Sequence, residues 1–169
     1  MTLREDEIER PDGSQGIYAY VDKPDFSLII PVERDGFHLV EQYRYPTSRR
    51  SWEFPQGSFP NRADGDPAEL ARQELAQETG LRARRLDQIG YLHTAVGMSS
   101  QAYTVFVADD LATGEHTREP EEQDMIQRWI SRADFESMLR HGEITDDSTL
   151  AAYTLFILHE RASARSDGG

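Results

Sequence analysis

The sequence predicts a domain of the mixed α/β (α+β) class, in which helices cover both faces of a mixed sheet as a helix–sheet–helix sandwich. Three observations carry this prediction: β-branched and aromatic runs in the first third of the chain, a helix with clear end signals in the middle, and further strand patterns followed by two helical segments. The 169 residues suit one domain with one core. We expect a flexible N-terminus over residues 1–14, the folded domain over residues 15–160 and a disordered tail over residues 161–169.

The N-terminal region is predicted to form antiparallel strands. Residues 16–21 and 26–33 are rich in β-branched and aromatic side chains. The hairpin turn signal Arg34-Asp35-Gly36 follows, and residues 37–44 return as the next strand.

The central helix is predicted from the residues at its two ends. Asp66 is a suitable N-cap, Pro67 suits the first helical position, and Glu69 completes a capping box with Asp66. Gly80 supplies the C-terminal stop, so the helix is expected over residues 67–79.

The remaining chain is predicted to contribute three strands and two helices. Strands are expected over residues 82–93, 101–108 and 125–130, a helix from Ser131 to near Gly142, and an apolar helix over residues 150–158.

Two carboxylates on the central helix are the main candidates for chemistry. Glu74 and Glu78 are four residues apart, so they lie on one helix face, where they border the apolar stripe. Two like charges at this spacing repel each other unless a cation lies between them. Hard oxygen ligands suit magnesium or manganese. The alternative is a solvated acidic face on a surface helix.

Composition excludes several classes of function. The chain has no cysteine, which excludes disulfides, thiol chemistry and cysteine-based zinc sites. Its net charge of -13 argues against binding of long nucleic acids, which rests on Lys and Arg. No apolar run approaches the roughly 18 residues of a membrane span. The charged start MTLREDEIER is not a signal peptide, so we expect a soluble cytoplasmic protein.

Residues 57–81 resemble the Nudix box. In that box a glycine, five residues, a glutamate and seven residues precede the motif Arg-Glu-aliphatic-x-Glu-Glu-x-Gly-aliphatic. Two positions depart from it, because Gln73 stands for the box arginine and Gln77 for the first residue of the Glu-Glu pair. The positions that match are Gly57, Glu74, Leu75, Glu78, Gly80 and Leu81.

The surroundings of the box resemble the ADP-ribose pyrophosphatase branch of the family. The run EQYRY over residues 41–45, the run WEFPQG over residues 52–57 and the run GEI over residues 142–144 carry this likeness. The resemblance implies a Nudix-type sandwich that hydrolyses ADP-ribose or an ADP-sugar to AMP and a sugar phosphate.

The resemblance also implies a metal site. Glu74 and Glu78, with the backbone carbonyl of Gln56, are expected to hold Mg²⁺, with Mn²⁺ as a possible substitute. The family places a further catalytic or metal-binding carboxylate on a loop before a strand. In this sequence Glu122 is the first candidate for it and Asp124 the second.

Substrate contacts are implied at two places. Arg44, Trp52 and Glu53 lie in the matching runs; Arg44 is expected to contact phosphate or ribose, whereas Trp52 is as well suited to base stacking as to core packing. Gly97 and Met98 lie in the loop that carries a proline marker in ADP-ribose enzymes, where this chain has Val96.

Three further expectations concern partners and rival functions. The family's ADP-ribose enzymes are commonly homodimers that exchange N-terminal strands, and residues 15–45 are compatible with that exchange. A different Nudix substrate, such as a dinucleoside polyphosphate or a nucleoside triphosphate, is one alternative. A non-catalytic nucleotide sensor is another, and Gln73 and Gln77 are the features that favour it.

Overall fold

The computed structural model describes residues 1–60, 65–116 and 123–166. Within them the chain forms nine strands, one 3₁₀ turn (Tyr45–Thr47) and three α-helices. The helices are α1 (Pro67–Thr79), α2 (Arg132–Arg140) and α3 (Asp147–Ser166). The strands are β1 (Thr2–Glu9), β2 (Gln15–Asp22), β3 (Phe26–Pro31), β4 (Gly36–Arg44), β5 (Arg49–Glu53), β6 (Gln56–Gly57), β7 (Leu81–His93), β8 (Ala102–Thr113) and β9 (Ile126–Ser131).

The main sheet has the order β6-β3-β8-β7 and is mixed, as predicted. Strands β3 and β8 run parallel, with Leu28 opposite Val105, whereas β6 and β7 pair antiparallel with their neighbours. A second sheet, β5-β4-β9, is antiparallel, with Phe37 opposite Ile130. The turn that leads into β4 places Arg34 at a φ of 55°.

Side-chain alternation along β3 divides the core into two layers. Ile29 packs against α1 and β8 on one face, while Leu28 and Ile30 face α2 and α3 on the other. The larger layer contains a ring cluster in which Phe37 contacts Phe54 and the helical aromatics Phe135, Tyr153 and Phe156. The helix–sheet–helix sandwich predicted from the sequence is therefore confirmed.

The N-terminus differs from the flexible segment expected over residues 1–14. Strands β1 and β2 form a separate two-stranded hairpin, with Thr2 opposite Asp22 and Glu9 opposite Gln15. The charged sequence of β1 lacks an apolar alternation because the strand is almost wholly exposed, and cross-strand pairs such as Arg4 with Asp22 at 2.7 Å hold it instead.

The C-terminal helix is longer than the apolar segment predicted over residues 150–158. It begins at Asp147 and continues through Ser166, into the tail that was expected to be disordered. Alanines at positions 162 and 164 favour this extension, since alanine has the highest helix propensity. Among the described residues, no helix is both long and apolar enough to cross a membrane.

Candidate active site

Helix α1 has the bounds and caps that the sequence predicts. The Asp66 side chain accepts a hydrogen bond from the Ala68 N–H at 2.9 Å. At the other end Gly80 adopts a φ of 73°, and its N–H donates to the Ala76 carbonyl at 3.0 Å. Because both ends of the helix are defined by these caps, the positions of Glu74 and Glu78 within it are defined as well.

The two glutamates differ in their depth. Glu78 is only 1% exposed, whereas Glu74 is partly buried. The Glu74 carboxylate lies against the backbone of Gly57, because a Cβ atom built on Gly57 would lie 2.5 Å from each of its two oxygens. The Gln56–Gly57 peptide, whose carbonyl is one of the predicted metal ligands, is therefore next to this carboxylate.

A partly buried ion pair between Arg44 and Glu53 lies near Glu78. The Nε atom of Arg44 donates to Glu53 at 2.9 and 3.2 Å, and its Nη2 atom makes a second contact with the same carboxylate. The hydrogen bond to Glu53 is the largest cause that raises the pKa of Arg44, and the charges of Asp146 and Glu78 raise it further. Glu53 is 1% exposed, while the Arg44 side chain keeps 41% of its surface exposed.

Two adjoining cavities form a groove around Arg44. One, of about 330 Å³, runs along Gln56 and Gly57, and the other, of about 570 Å³, runs along β5. Both are lined by Arg44, Asp146 and Asp147. The groove thus places the Arg44 guanidinium on the same surface as Gly57, together with several carboxylate, amide and hydroxyl oxygen atoms.

Two groups of groove residues were missed by sequence reasoning. Lys23, the only lysine of the chain, lines the smaller cavity together with Ser148. Asp146 caps α3, since its Oδ2 atom accepts from the Thr149 N–H at 2.8 Å. The run Asp-Asp-Ser-Thr before an apolar segment is a helix-start signal that could have placed this helix end in the site.

The alternation of β5 separates the predicted substrate residues. Arg44 and Glu53 lie on one face of the second sheet, whereas Trp52 lies on the other. There Trp52 packs against the core, and the Arg128 guanidinium lies 5.4 Å from its ring centroid. Arg44 and Glu53 are therefore in contact, whereas Trp52 lies on the opposite face of the sheet from both.

Asp124 lies on the Trp52 face of the second sheet. Its carboxylate accepts from Arg50 Nη1 at 2.6 Å, and its carbonyl accepts from Arg50 Nη2 at 3.0 Å. Arg50 also binds Glu41 at 2.9 Å. The first loop candidate, Glu122, lies outside the described residues.

Gly97 and Met98 are held against the N-terminal hairpin. The Tyr18 hydroxyl donates to the Gly97 carbonyl, and the Val21 N–H donates to the Met98 carbonyl, each at 2.8 Å. Within the same loop, Thr94 is the residue that lines the groove.

The donor set suits a hard divalent cation, because it consists of carboxylate and carbonyl oxygens. Over residues 1–60, 65–116 and 123–166, no three histidine, aspartate or glutamate side chains gather closely enough to form a metal site by themselves. A metal held here would therefore need the Gln56 carbonyl, the substrate phosphates or a further carboxylate in addition to Glu74 and Glu78.

Comparisons with known proteins show which family the chain resembles. The NUDIX domain model matches residues 23–153, and the model of the nucleoside diphosphate sugar hydrolase N-terminal domain matches residues 1–21. An ADP-ribose pyrophosphatase of Mycobacterium tuberculosis is 31% identical over 152 residues, which cover 88% of this chain and 72% of that protein. An ADP-ribose pyrophosphatase of Bacillus subtilis is 26% identical over 162 residues, covering 95% and 86% respectively.

The fold has a close counterpart among solved structures. The crystal structure of an ADP compounds hydrolase matches with a TM-score of 0.81 at 21% identity, over 96% of this chain and 86% of that one. The family model covers well over half of the chain and includes the helix with its paired glutamates. The chain therefore belongs to the Nudix family and is a Nudix hydrolase.

Proposed function

We propose that this Nudix hydrolase cleaves the diphosphate linkage of ADP-ribose or an ADP-sugar with the help of Mg²⁺, for which Mn²⁺ can substitute. The observation that carries the proposal is the contact between Gly57 and the Glu74 carboxylate beside a groove that contains Arg44. The two ADP-ribose pyrophosphatases among its relatives support the choice of substrate class.

The proposed metal ligands are the carboxylates of Glu74 and Glu78 and the backbone carbonyl of Gln56. When bound by these residues, a divalent cation would neutralise charge that develops on the phosphates and would lower the pKa of a water bound to it. Glu122 is proposed to orient or deprotonate the attacking water, with Asp124 as the second candidate. The water oxygen bonds to one phosphorus while the bridging P–O bond breaks, so that ADP-ribose yields AMP and ribose 5-phosphate.

Cationic side chains are proposed to hold the diphosphate. The Arg44 side chain stays partly exposed and lines the groove although it is paired with Glu53. Lys23 is exposed and lines the same cavity, and its ammonium group offers three donors. Glu53 acts in this proposal by fixing the orientation of Arg44.

The N-terminal hairpin is proposed to mediate a homodimer. Leu3 and Ile17 are 78% and 62% exposed, and Val96 and Met98 add exposed apolar surface on the loop beside it. Burial of these side chains in a partner would remove them from water. Light scattering at several protein concentrations measures the oligomeric state, and a monomer at micromolar concentration would contradict the proposal.

The decisive experiment is hydrolysis of ADP-ribose by the purified protein with Mg²⁺ or Mn²⁺, with products separated by chromatography. We expect metal-dependent release of AMP that EDTA abolishes. Glu78→Gln should lower kcat by roughly 10²-fold or more, in line with the loss of a placed charge-stabilising group.

The remaining outcomes separate the rival functions. Wild-type turnover by the Glu78→Gln protein would overturn the assignment of that residue. Hydrolysis of a dinucleoside polyphosphate or a nucleoside triphosphate in preference to ADP-ribose would identify another substrate branch. Tight binding of ADP-ribose without turnover would instead identify a nucleotide sensor, the function that the departures at Gln73 and Gln77 favour.

A further inference from the structure

The side chain of Gln56 links two parts of the groove. Its Nε2 atom donates to Glu53 Oε2 at 3.1 Å, and its Oε1 atom accepts from the Ser148 hydroxyl at 3.1 Å. Glu53 is in turn paired with Arg44. One amide therefore joins the Arg44 ion pair on the second sheet to the N-terminal turn of α3.

The backbone on either side of this amide is fixed by other bonds. The Phe54 N–H donates to the Thr149 hydroxyl at 3.0 Å, and both residues are fully buried. The Pro55 carbonyl accepts from the Ile29 N–H at 2.9 Å. The segment that leads to the Gln56 carbonyl is thus anchored both to α3 and to the central strand β3.

Ser148 is itself held in place. It is 5% exposed, and its single hydroxyl proton is shared between Gln56 Oε1 and Asp146 Oδ2, which lies 2.7 Å away and also accepts from the Thr149 N–H. The cap of α3 therefore fixes the group that meets the Gln56 amide. A rotation of that amide would break its bonds to Glu53 and to Ser148 at the same time.

We propose that the Gln56 side chain and Ser148 are positioning residues that hold the Gln56 backbone carbonyl next to Glu74 and keep the Arg44–Glu53 pair aligned with it. The inference rests on the proposed metal-dependent function. Hydrogen bonds outside the ligand shell orient metal ligands, and their loss typically lowers metal affinity or activity by roughly 10- to 100-fold. An amide suits the place because a carboxylate there would lie next to Glu53.

The test uses the full chain and Mn²⁺ alone as the probe, with binding measured by electron paramagnetic resonance. Gln56→Met keeps the length of the side chain but removes both hydrogen bonds, and we expect Mn²⁺ to bind about tenfold more weakly. Ser148→Ala should weaken binding by a smaller factor. The double variant should be no weaker than Gln56→Met, because Ser148 acts through Gln56.

Gln127→Met is the matched control. Gln127 lies on β9, outside the groove, and its amide bonds to His38 Nδ1 at 2.6 Å. This variant also loses a glutamine hydrogen bond, yet its Mn²⁺ affinity should equal that of the wild type. Thermal unfolding and circular dichroism of every variant distinguish misfolding from a local change.

Each outcome decides the proposal. Wild-type Mn²⁺ affinity in a folded Gln56→Met protein would overturn it, as would failure of the wild type to bind Mn²⁺. If Gln56→Met does not fold, an unchanged affinity in Ser148→Ala has the same consequence. Absence of ADP-ribose hydrolysis by the wild type would contradict the proposed function. The Mn²⁺ titration would still decide the role of Gln56 in that case.

Discussion

The α-carbon of Gly57 lies directly against the carboxylate of Glu74. A Cβ atom at position 57 would come within 2.5 Å of both carboxylate oxygens, closer than real Cβ atoms approach other atoms. Gly57 is not among the residues of positive φ, so its role here is to let the end of the Glu74 side chain approach the backbone, and a Cβ would push that carboxylate away. Gly57 and helix α1 therefore pack directly against each other through the Glu74 side chain.

Gly57→Ala should displace the Glu74 carboxylate and lower kcat for ADP-ribose hydrolysis by roughly 10-fold or more, because a displacement near 1 Å at a reacting site can cost on the order of 10²-fold. The measurement is steady-state kinetics at saturating Mg²⁺. Gly90→Ala provides the control, as its Cβ would also meet an atom at 2.5 Å, but that atom is the Cδ1 end of Leu155. If the two variants lose activity equally, the contact with Glu74 is not the cause.

Arg44→Ala should destabilise the fold by about 2 kcal/mol. It removes a charged partner from a buried carboxylate, and the partial exposure of Arg44 places the cost below that of a fully buried pair. Chemical denaturation measures the free energy of unfolding. Arg49→Ala, which removes a neighbouring exposed arginine bonded to Thr145, should change it by less than about 0.5 kcal/mol. Equal effects in the two variants would contradict the importance of the pair with Glu53.

Glu122→Gln and Asp124→Asn should have unequal effects on catalysis. The carboxylate of Asp124 is bound by Arg50 on the face of the sheet that carries Trp52, away from Arg44 and Glu53. We therefore expect Asp124→Asn to lower kcat by less than roughly 10-fold and Glu122→Gln by roughly 10²-fold, within the usual range for a catalytic base. Comparison of kcat under saturating ADP-ribose decides between them, and the reverse order would make Asp124 the base.

His38→Gln should reduce the loss of stability at acidic pH. Burial is the larger cause that lowers the pKa of His38, and it outweighs the nearby Glu33 carboxylate. Below about pH 6.5 the unfolded histidine binds a proton that the folded one resists, so stability present above that pH is lost as the pH falls. Denaturation at pH 7.5 and 5.5 should show a smaller difference for His38→Gln than for the wild type, and parallel losses would refute the role of His38.

The sequence alone predicted the parts of the fold that depend on local signals. Helix α1 begins at Pro67 and ends at Thr79, because its N-cap and its terminal glycine are encoded within the segment. Strands β3, β4, β7, β8 and β9 were predicted for the same reason, since their apolar patterns reflect burial on the core, whereas the short strands β5 and β6 were not predicted. The exposed strand β1 was missed because it has no apolar face to leave such a pattern.

The candidate site was predictable only in part. Glu74 and Glu78 could be paired because one helical turn separates them, and the family resemblance added Gln56 and Arg44. Lys23 was missed, because it lies on the segment between two strands and its nearness to Gln56 depends on how the chain folds back. Trp52 was grouped with Glu53, but adjacent residues of a strand point to opposite faces.

The sequence by itself determined the family, the sandwich and the helix that carries the paired glutamates. Motif spacing, apolar patterns and helix caps are all properties of residues that lie close together in the chain. Only the tertiary structure decided which side chains meet: Gly57 with Glu74, Arg44 with Glu53, and Gln56 with Ser148, whose chain separations are 17, 9 and 92 residues. Such contacts depend on the packing of whole elements, and no local pattern specifies them. The amide of Gln56 is the clearest example, because the residue that holds it lies on the last helix of the chain.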